Sequence, residues 1–595
     1  EEVELWRVDY EKQFKRFLRV PQPQIQRVKT EVALYPKQRR YEVTGQYTLI
    51  NRQSVDVHEL LVSLDKDITV LEMTVEINGQ KQAAPDDHAE FGAYHVKLNS
   101  PLPPGQTLQL TFKLQQQQSG FGQFSSSELV TDNATMLYAG NRFPVIGYIE
   151  QMELGNDTRR QVHGLPAQAL PQVLEQSLKS KLETTRPFVE FESIVSTTAE
   201  QTAIANGTLQ RQWIEGERAY FHYKTDAPIR NEQVYLSAEY SVAKSTAQGI
   251  DIAVYYHPAH GVNVPRMLNA IEDSLAYQVS QFGPYPHKQF KQVETAAYTR
   301  FTGLAVPGMT LISEHAGFTY DLRNSEALDQ VYRRGAHEVA HQWWAHKLAP
   351  AKVDEGAGVL TETLARYSES MIMKKVYGEQ MALNFIEYEM GRYFRGRARE
   401  RNEELPLYRA RSGQQYLLYS KGAVAMYALQ HQIGEARINR ALKRLVEQYA
   451  YPNTPPTTLD LIALLYQEAP EHKGLIDRWF KDMITVENRL TSAEYKVLDD
   501  GLYEIELAIE FSEFRAASTG EDVLIDDGLL GKPQLLEVEV AFEGGGRVVQ
   551  LVKVKHGANR VTLVVETLPV RVKLDPNRLM LNKAWLAGEG VVNTP

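Results

Sequence analysis

The apolar pattern of this chain changes period twice, and those two changes constrain its fold more than any other feature. From about residue 24 to 245, alternating runs such as Tyr41-Glu42-Val43-Thr44-Gly45-Gln46-Tyr47 carry the two-residue period of half-buried strands. Turn signals separate them, among them Pro101-Leu102-Pro103-Pro104-Gly105 and the hairpin dipeptide Asn206-Gly207. The polar tract Gln115 to Gln118 reads as a loop. From about 250 to 490 the pattern is helical, with segments at 264–282, 325–348, 358–377, 380–397, 415–449, 458–468 and 472–484. Alternation returns over 490–575, as in Tyr503-Glu504-Ile505-Glu506-Leu507-Ala508-Ile509, and suits a β-sandwich.

A chain of 595 residues exceeds what one hydrophobic core can serve, so three or four domains are expected. Ahead of the first strands, Trp6, Tyr10, Phe14, Phe17 and Leu18 stand among charges in an amphipathic helix that Pro21 and Pro23 end. Its simplest role is to pack on the next domain; the sharper alternative is a lever or lipid-surface helix. The fold class predicted is multidomain α+β. It comprises an amphipathic helix over 1–23, an antiparallel β domain over 24–247, a mostly helical domain over 248–489 and a C-terminal β-sandwich over 490–595.

The formal net charge of -10 argues against nucleic acid or anionic lipid as the main partner. No run approaches the roughly 18 apolar residues of a membrane-spanning helix. The chain opens Glu1-Glu2 without Met and shows no signal peptide, which suggests a processed start or a soluble piece of a longer protein. With no cysteine, any zinc must be held by histidine and carboxylate.

His337-Glu338-Val339-Ala340-His341 supplies such a set. Residues four apart share one face of a helix, so both imidazoles can reach a single zinc ion. Glu338 then stands beside them as proton acceptor for the water the ion activates. Gln342-Trp343-Trp344 adds an apolar wall that dries one side of the site. Glu362, in Leu360-Thr361-Glu362-Thr363-Leu364-Ala365-Arg366-Tyr367, is the candidate third ligand and leaves one coordination position open. His346, five residues past His341, points about 140° around the helix and is read as structural or surface.

These motifs, with Tyr419-Ser420-Lys421-Gly422-Ala423, resemble the aminopeptidase N and leukotriene hydrolase family of zinc metallopeptidases (peptidase family M-one, gluzincins). The resemblance implies a saddle-like N-terminal β domain, a thermolysin-like catalytic domain and one zinc ion. It also implies that Tyr419 donates a hydrogen bond to the oxyanion of the tetrahedral intermediate. Nearby Tyr416 lies outside the motif. Between His341 and Glu362 stand 20 residues, a longer interval than is usual in the family. The excess falls in the loop around Pro350 and Asp354-Glu355-Gly356-Ala357-Gly358. Glu355 is the rival ligand, on a Gly-rich loop that makes a poor platform.

Two departures matter. Aligned on Pro307-Gly308, the chain reads Thr302-Gly303-Leu304-Ala305-Val306, and Ala305 stands where the family's amine-binding Glu belongs. The segment Asn141-Arg142-Phe143-Pro144-Val145-Ile146-Gly147-Tyr148 lacks the family's Gln and Cys. A buried ammonium needs an acid partner. Gly303, Ala305 and Glu314 are therefore the candidate substrate-binding residues, with Glu294 and Glu153 as weaker acids. The departures resemble a bacterial branch in which the peptidase-like domain is joined to ABC-transporter permease-like membrane segments. That implies a tethered domain, with the extracytoplasmic side favoured.

The function expected is zinc-dependent hydrolysis of short peptides, aminopeptidase-type, with Glu338 as general base and Tyr419 on the oxyanion. The alternative from another class is a peptide-binding or regulatory module of a membrane transporter. Hydrolysis of an epoxide has family precedent alone.

Overall fold

Where apolar residues alternate, the chain forms strands, and the computed structural model describes residues 2–118, 130–180, 182–299, 301–324, 327–401, 403–516, 521–525, 534–585 and 588–593. They belong to two units: residues 1–171 with 184–349, and residues 172–183 with 350–595. Among the described residues no helix is long and apolar enough to cross a membrane, a statement about helices only.

The first unit opens with the helix Glu2–Phe14 and a short 3-10 turn, Lys15–Leu18. Tyr10, Phe14 and Phe17 are buried against Leu61, Phe91 and Ile149. Its Glu11 is paired with the fully buried Arg160 through two bonds of 2.8 and 2.7 Å. The aromatic face is thus packed on the β region rather than presented to lipid. Glu153 accepts from Lys15 (3.2 Å) and Tyr148 (3.0 Å) in the same cluster. That ties it to anchoring the first helix, not to a substrate amine.

A sheet of nine strands among the described residues comes next. Its pairs are antiparallel except at its centre, where Gln24–Tyr35 runs parallel to Phe188–Thr198. Two sequence expectations fail here. Gln115 to Gln117 end the strand Thr107–Gln117 and pair with Arg40 to Glu42, because the neighbouring backbone supplies a ladder that composition cannot show. Asn206-Gly207 is a turn, with Gly207 at φ 91°, but it closes no hairpin. The strands on either side, Thr202–Ile204 and Thr208–Glu215, pair into different sheets.

A second sheet lies mostly inside the region read as helical, with its first strand just before it. Its order is Ser241–Ala247, Ile250–Tyr256, Gln289–Thr295, Met309–Ser313 and, on the edge, Gly303–Val306. Gln289–Thr295 and Met309–Ser313 are buried on both faces, so neither shows the alternation that marks a strand. The helix Val264–Phe282 packs on Gln330–Ala340, the helix that carries His337.

In the second unit the helices Leu364–Tyr377, Glu379–Arg397 and Thr458–Glu468 end at the predicted residues, and Lys473–Phe480 begins within one residue of its predicted start. The segment 415–449 holds two helices, Gly422–Ile433 and Glu435–Tyr449. They are broken at Gly434, whose φ of 101° no helix permits. Predicted 472–484 stops at Phe480, and a strand begins at Ile484. Two sheets, each of four strands among the described residues, then face each other across Val486, Leu507, Ile509, Leu536, Val538, Val540 and Leu574, the expected sandwich.

Candidate zinc centre

The helix Gln330–Ala340 is started by Asp329, whose side chain accepts the Tyr332 N–H at 2.9 Å. The predicted start at 325–326 lies outside the described residues. The helix ends at Ala340 rather than 348. His341 keeps helical geometry as the residue just past its end, so the two imidazoles still lie one turn apart. Their Nε2 atoms face each other at 3.2 Å and both rings are buried. His341 Nδ1 donates to the Trp344 carbonyl at 3.0 Å, which fixes the tautomer and leaves Nε2 as a lone-pair donor.

Glu338 is buried between them in sequence and abuts the edge strand Gly303–Val306. A Cβ on Gly303 would stand 2.4 Å from its Oε1, so a glycine leaves the room this carboxylate occupies. Gln342 ties the end of the helix to the same strand. It donates to the Val306 carbonyl at 3.1 Å and accepts from Gly308 N–H at 2.9 Å.

Glu362 lies on a π-helical turn, Val359–Thr363, that leads into the helix Leu364–Tyr377. Such turns recur at functional sites. A second π-helical turn, Tyr416–Lys421, carries Tyr419. Thr363 Oγ1 donates to the Leu418 carbonyl at 2.5 Å, and Gly422 has no side chain because a Cβ there would meet Thr363 Oγ1 at 2.3 Å. The two turns are therefore pinned together at the residues next to Glu362 and Tyr419. Arg366 lies over the Tyr419 ring at 5.1 Å and pairs with Glu369 at 2.8 Å; Glu369 is fully buried. Glu389, also fully buried, accepts from Ser420 at 2.7 Å. Of these supports, Thr363, Arg366, Ser420 and Gly422 stand inside the sequence motifs without a role that sequence could assign, and Glu369 and Glu389 give no sequence signal.

One ligand atom from each of His337, His341 and Glu362 lies within 4.8 Å of the others. The set fits zinc. Its donors are imidazole nitrogen and carboxylate oxygen. The 3.2 Å between the Nε2 atoms is close to the edge of a tetrahedron, about 3.3–3.4 Å for metal–nitrogen bonds of about 2.0–2.1 Å.

Glu355 is not a ligand. It is fully buried and held by Arg409 (2.6 Å), Arg411 (3.0 Å) and the Leu174 N–H (3.1 Å), which removes it as the rival. His346 is buried, not at the surface. The helical angle assigned to it does not apply, since the helix has ended. Burial pushes it down to about 3, against the pull of Glu232. Ala305 sits on the edge strand, paired with Thr310, and carries no charge. Glu314 stands just past the neighbouring strand and lines a cavity of about 440 Å3 together with Glu294, His257, His260, Glu239 and Asp132. Burial raises Glu294, although His257 N–H (2.7 Å) and the His260 ring (2.5 Å) both bond it.

Two imidazoles one turn apart and a carboxylate within reach of them make a donor set of the kind zinc hydrolases use. A protein-family model described as Peptidase family M1 domain matches residues 266–479. Among solved structures, an M1 zinc metallopeptidase from Deinococcus radiodurans is similar at 17% identity and TM-score 0.54, over 77% of this chain and 94% of that one. A variant of it bound to a Tyr-Ser-Ala substrate matches over the same shares, at TM-score 0.52. Aminopeptidase A of Legionella pneumophila, in complex with aspartic acid, is similar at 12% identity and TM-score 0.61, over 95% of this chain and 59% of that one. At these identities the likeness is one of fold. No curated protein matches by sequence. The chain carries a Peptidase family M1 domain and is a zinc metallopeptidase, with a single zinc ion as its cofactor.

Proposed function

We propose that this enzyme removes residues from the amino end of short peptides, with His337, His341 and Glu362 holding zinc, Glu338 as general base and Tyr419 on the oxyanion. The observation that carries the reading is the approach of the three ligand atoms to one another, with Glu338 inside the same segment. Zinc, when bound, supplies a Lewis acid that polarises the scissile carbonyl and draws the pKa of water towards about 7. Glu338 takes the proton from the attacking water and returns it to the leaving amine. Tyr419, its ring lying against Arg366, donates to the oxygen on which charge develops.

Exo-specificity requires an acid for the free ammonium, and Ala305 offers only a methyl group. We assign that role to Glu314. It is partly exposed, lines the acidic cavity, accepts from Ala297 N–H at 3.2 Å and faces His260 Nε2 at 3.8 Å. The edge strand Gly303–Val306 offers a backbone edge on which an extended peptide can pair, which would hold the rest of the substrate. The test compares a free tripeptide with its N-acetylated form. Free peptide should be cleaved at least about tenfold faster, the effect of roughly one charge-assisted contact. Equal rates would withdraw the aminopeptidase label. A covalently linked membrane permease domain is proposed from sequence resemblance alone, and reading the gene around this chain tests it.

A further inference from the structure

The zinc-binding helix does not run on past His341, and the turn beyond it is strained. Ala345 has φ 150°, a conformation that side-chain-bearing residues rarely adopt and that costs about 1–3 kcal/mol unless its surroundings impose it. The turn matters to the metal because the Trp344 carbonyl, one residue earlier, is the group that orients His341 through Nδ1. The Ala345 carbonyl is gripped from the β region: Arg230 Nη1 donates to it at 3.1 Å.

Arg230 is itself held. It ends the short strand Ile229–Arg230, paired to Phe188 and Val189, and its Nη2 stands 3.1 Å from Glu232 Oε1. Glu232 also faces Arg186 Nε at 3.7 Å, while Arg186 Nη1 donates to the Asn231 carbonyl at 3.2 Å. The Arg230 and Glu232 side chains are only 13% and 12% exposed, so water competes little for these bonds. Burial raises Glu232, but the guanidiniums of Arg230 and Arg186 hold it below the ordinary carboxylate range.

We propose that Arg230 and Glu232 are positioning residues for zinc: they clamp the strained 344–345 turn whose carbonyl sets the orientation of His341. The proposal rests on the assignment of His337, His341 and Glu362 as ligands. Its chain of contacts is Glu232 to Arg230, Arg230 to the Ala345 carbonyl, and the adjoining Trp344 carbonyl to His341 Nδ1. Groups that orient a ligand in this way are worth about 10–100-fold in metal affinity.

The test is a competition titration of zinc against a chelator, using the full chain and the variants Arg230→Met, Arg230→Lys, Glu232→Gln and His337→Ala. Circular dichroism and the melting midpoint of each zinc-free protein are measured alongside. Arg230→Met should bind zinc about 10–100-fold more weakly. Glu232→Gln should move the same way by a smaller factor, and Arg230→Lys, which keeps one donor, should recover part of the loss. A purely structural role would lower the zinc-free midpoint and leave zinc affinity untouched, which would overturn the proposal. Should Arg230→Met fail to fold, Glu232→Gln and Arg230→Lys decide the matter by the same readout. If His337→Ala loses zinc while folded clamp variants keep wild-type affinity, this proposal alone falls. If His337→Ala keeps zinc, the ligand assignment falls and takes the clamp with it.

Discussion

Replacing Gly422 by Ala tests whether the two π-helical turns must touch for the site to form. The added Cβ would lie 2.3 Å from Thr363 Oγ1, 2.7 Å from its Cγ2 and 2.9 Å from its Cβ. These atoms are the stub of a β-branched side chain with one stiff torsion, so Thr363 cannot swing clear. The turns must separate by about 1 Å to reach ordinary contact, and the Thr363 to Leu418 bond is stretched or lost. Overpacking costs about 1–3 kcal/mol, and a lost buried hydrogen bond about 1 kcal/mol more. In a unit of this size the melting midpoint should fall by about 5–10 °C. Activity should fall further than stability. Glu362 and Tyr419 adjoin the separated residues, and a misplacement of about 1 Å can cost about 100-fold. The assay is kcat/KM on a short peptide at saturating zinc, with melting followed in parallel. Thr363→Ala removes the two closest atoms, so the double variant should recover much of both losses, a strong coupling in a double-mutant cycle. Wild-type rate and midpoint in folded Gly422→Ala, or effects that simply add with those of Thr363→Ala, would refute the reasoning.

Glu338→Gln should keep zinc, measured by metal analysis, and lose about 100- to 10,000-fold in kcat, since it removes the general base and leaves the ligands. Tyr419→Phe should lose about 100- to 1,000-fold in kcat with little change in KM, as expected for a donor that acts on the developing oxyanion. Lys291 is buried, donates to the Ala205 and Gly207 carbonyls, and is pushed down to about 7 by burial. Between about pH 7 and 10.5 the unfolded chain binds more protons there than the folded one, so this residue makes stability rise with pH across that window. Melting midpoints from about pH 6.5 to 10 should show that slope in the wild type and a flatter one in Lys291→Met; identical slopes would exclude the effect.

Much of the architecture was legible because strands and helices that face solvent on one side display their period. The helices Val264–Phe282 and Thr458–Glu468 were predicted to the residue for this reason. The strands Gln289–Thr295 and Met309–Ser313 were not, because residues buried on both faces have no period to display. In the site, the spacing of His337, Glu338 and His341 could be read directly, since a helix converts an interval of four into one face. The supports could not. Arg230 and Glu232 lie more than a hundred residues before the turn they hold, and Glu389 reaches Ser420 across a helix pair. Glu355 has the chemistry of a ligand, and only its contacts with Arg409, Arg411 and the Leu174 N–H show that its acceptor sites are taken.

By itself, then, the order of residues determined the donor chemistry on offer: two imidazoles four residues apart with a carboxylate between them, and no cysteine to compete for a metal. Those are properties of residue type and short intervals, and local backbone geometry is enough to express them. Only the tertiary structure decided how far the candidate ligand atoms stand apart, which carbonyl His341 bonds, and which acids line the cavity beside Glu314. Such choices depend on contacts between segments distant in the chain, whose pairing is set by packing rather than by any local pattern.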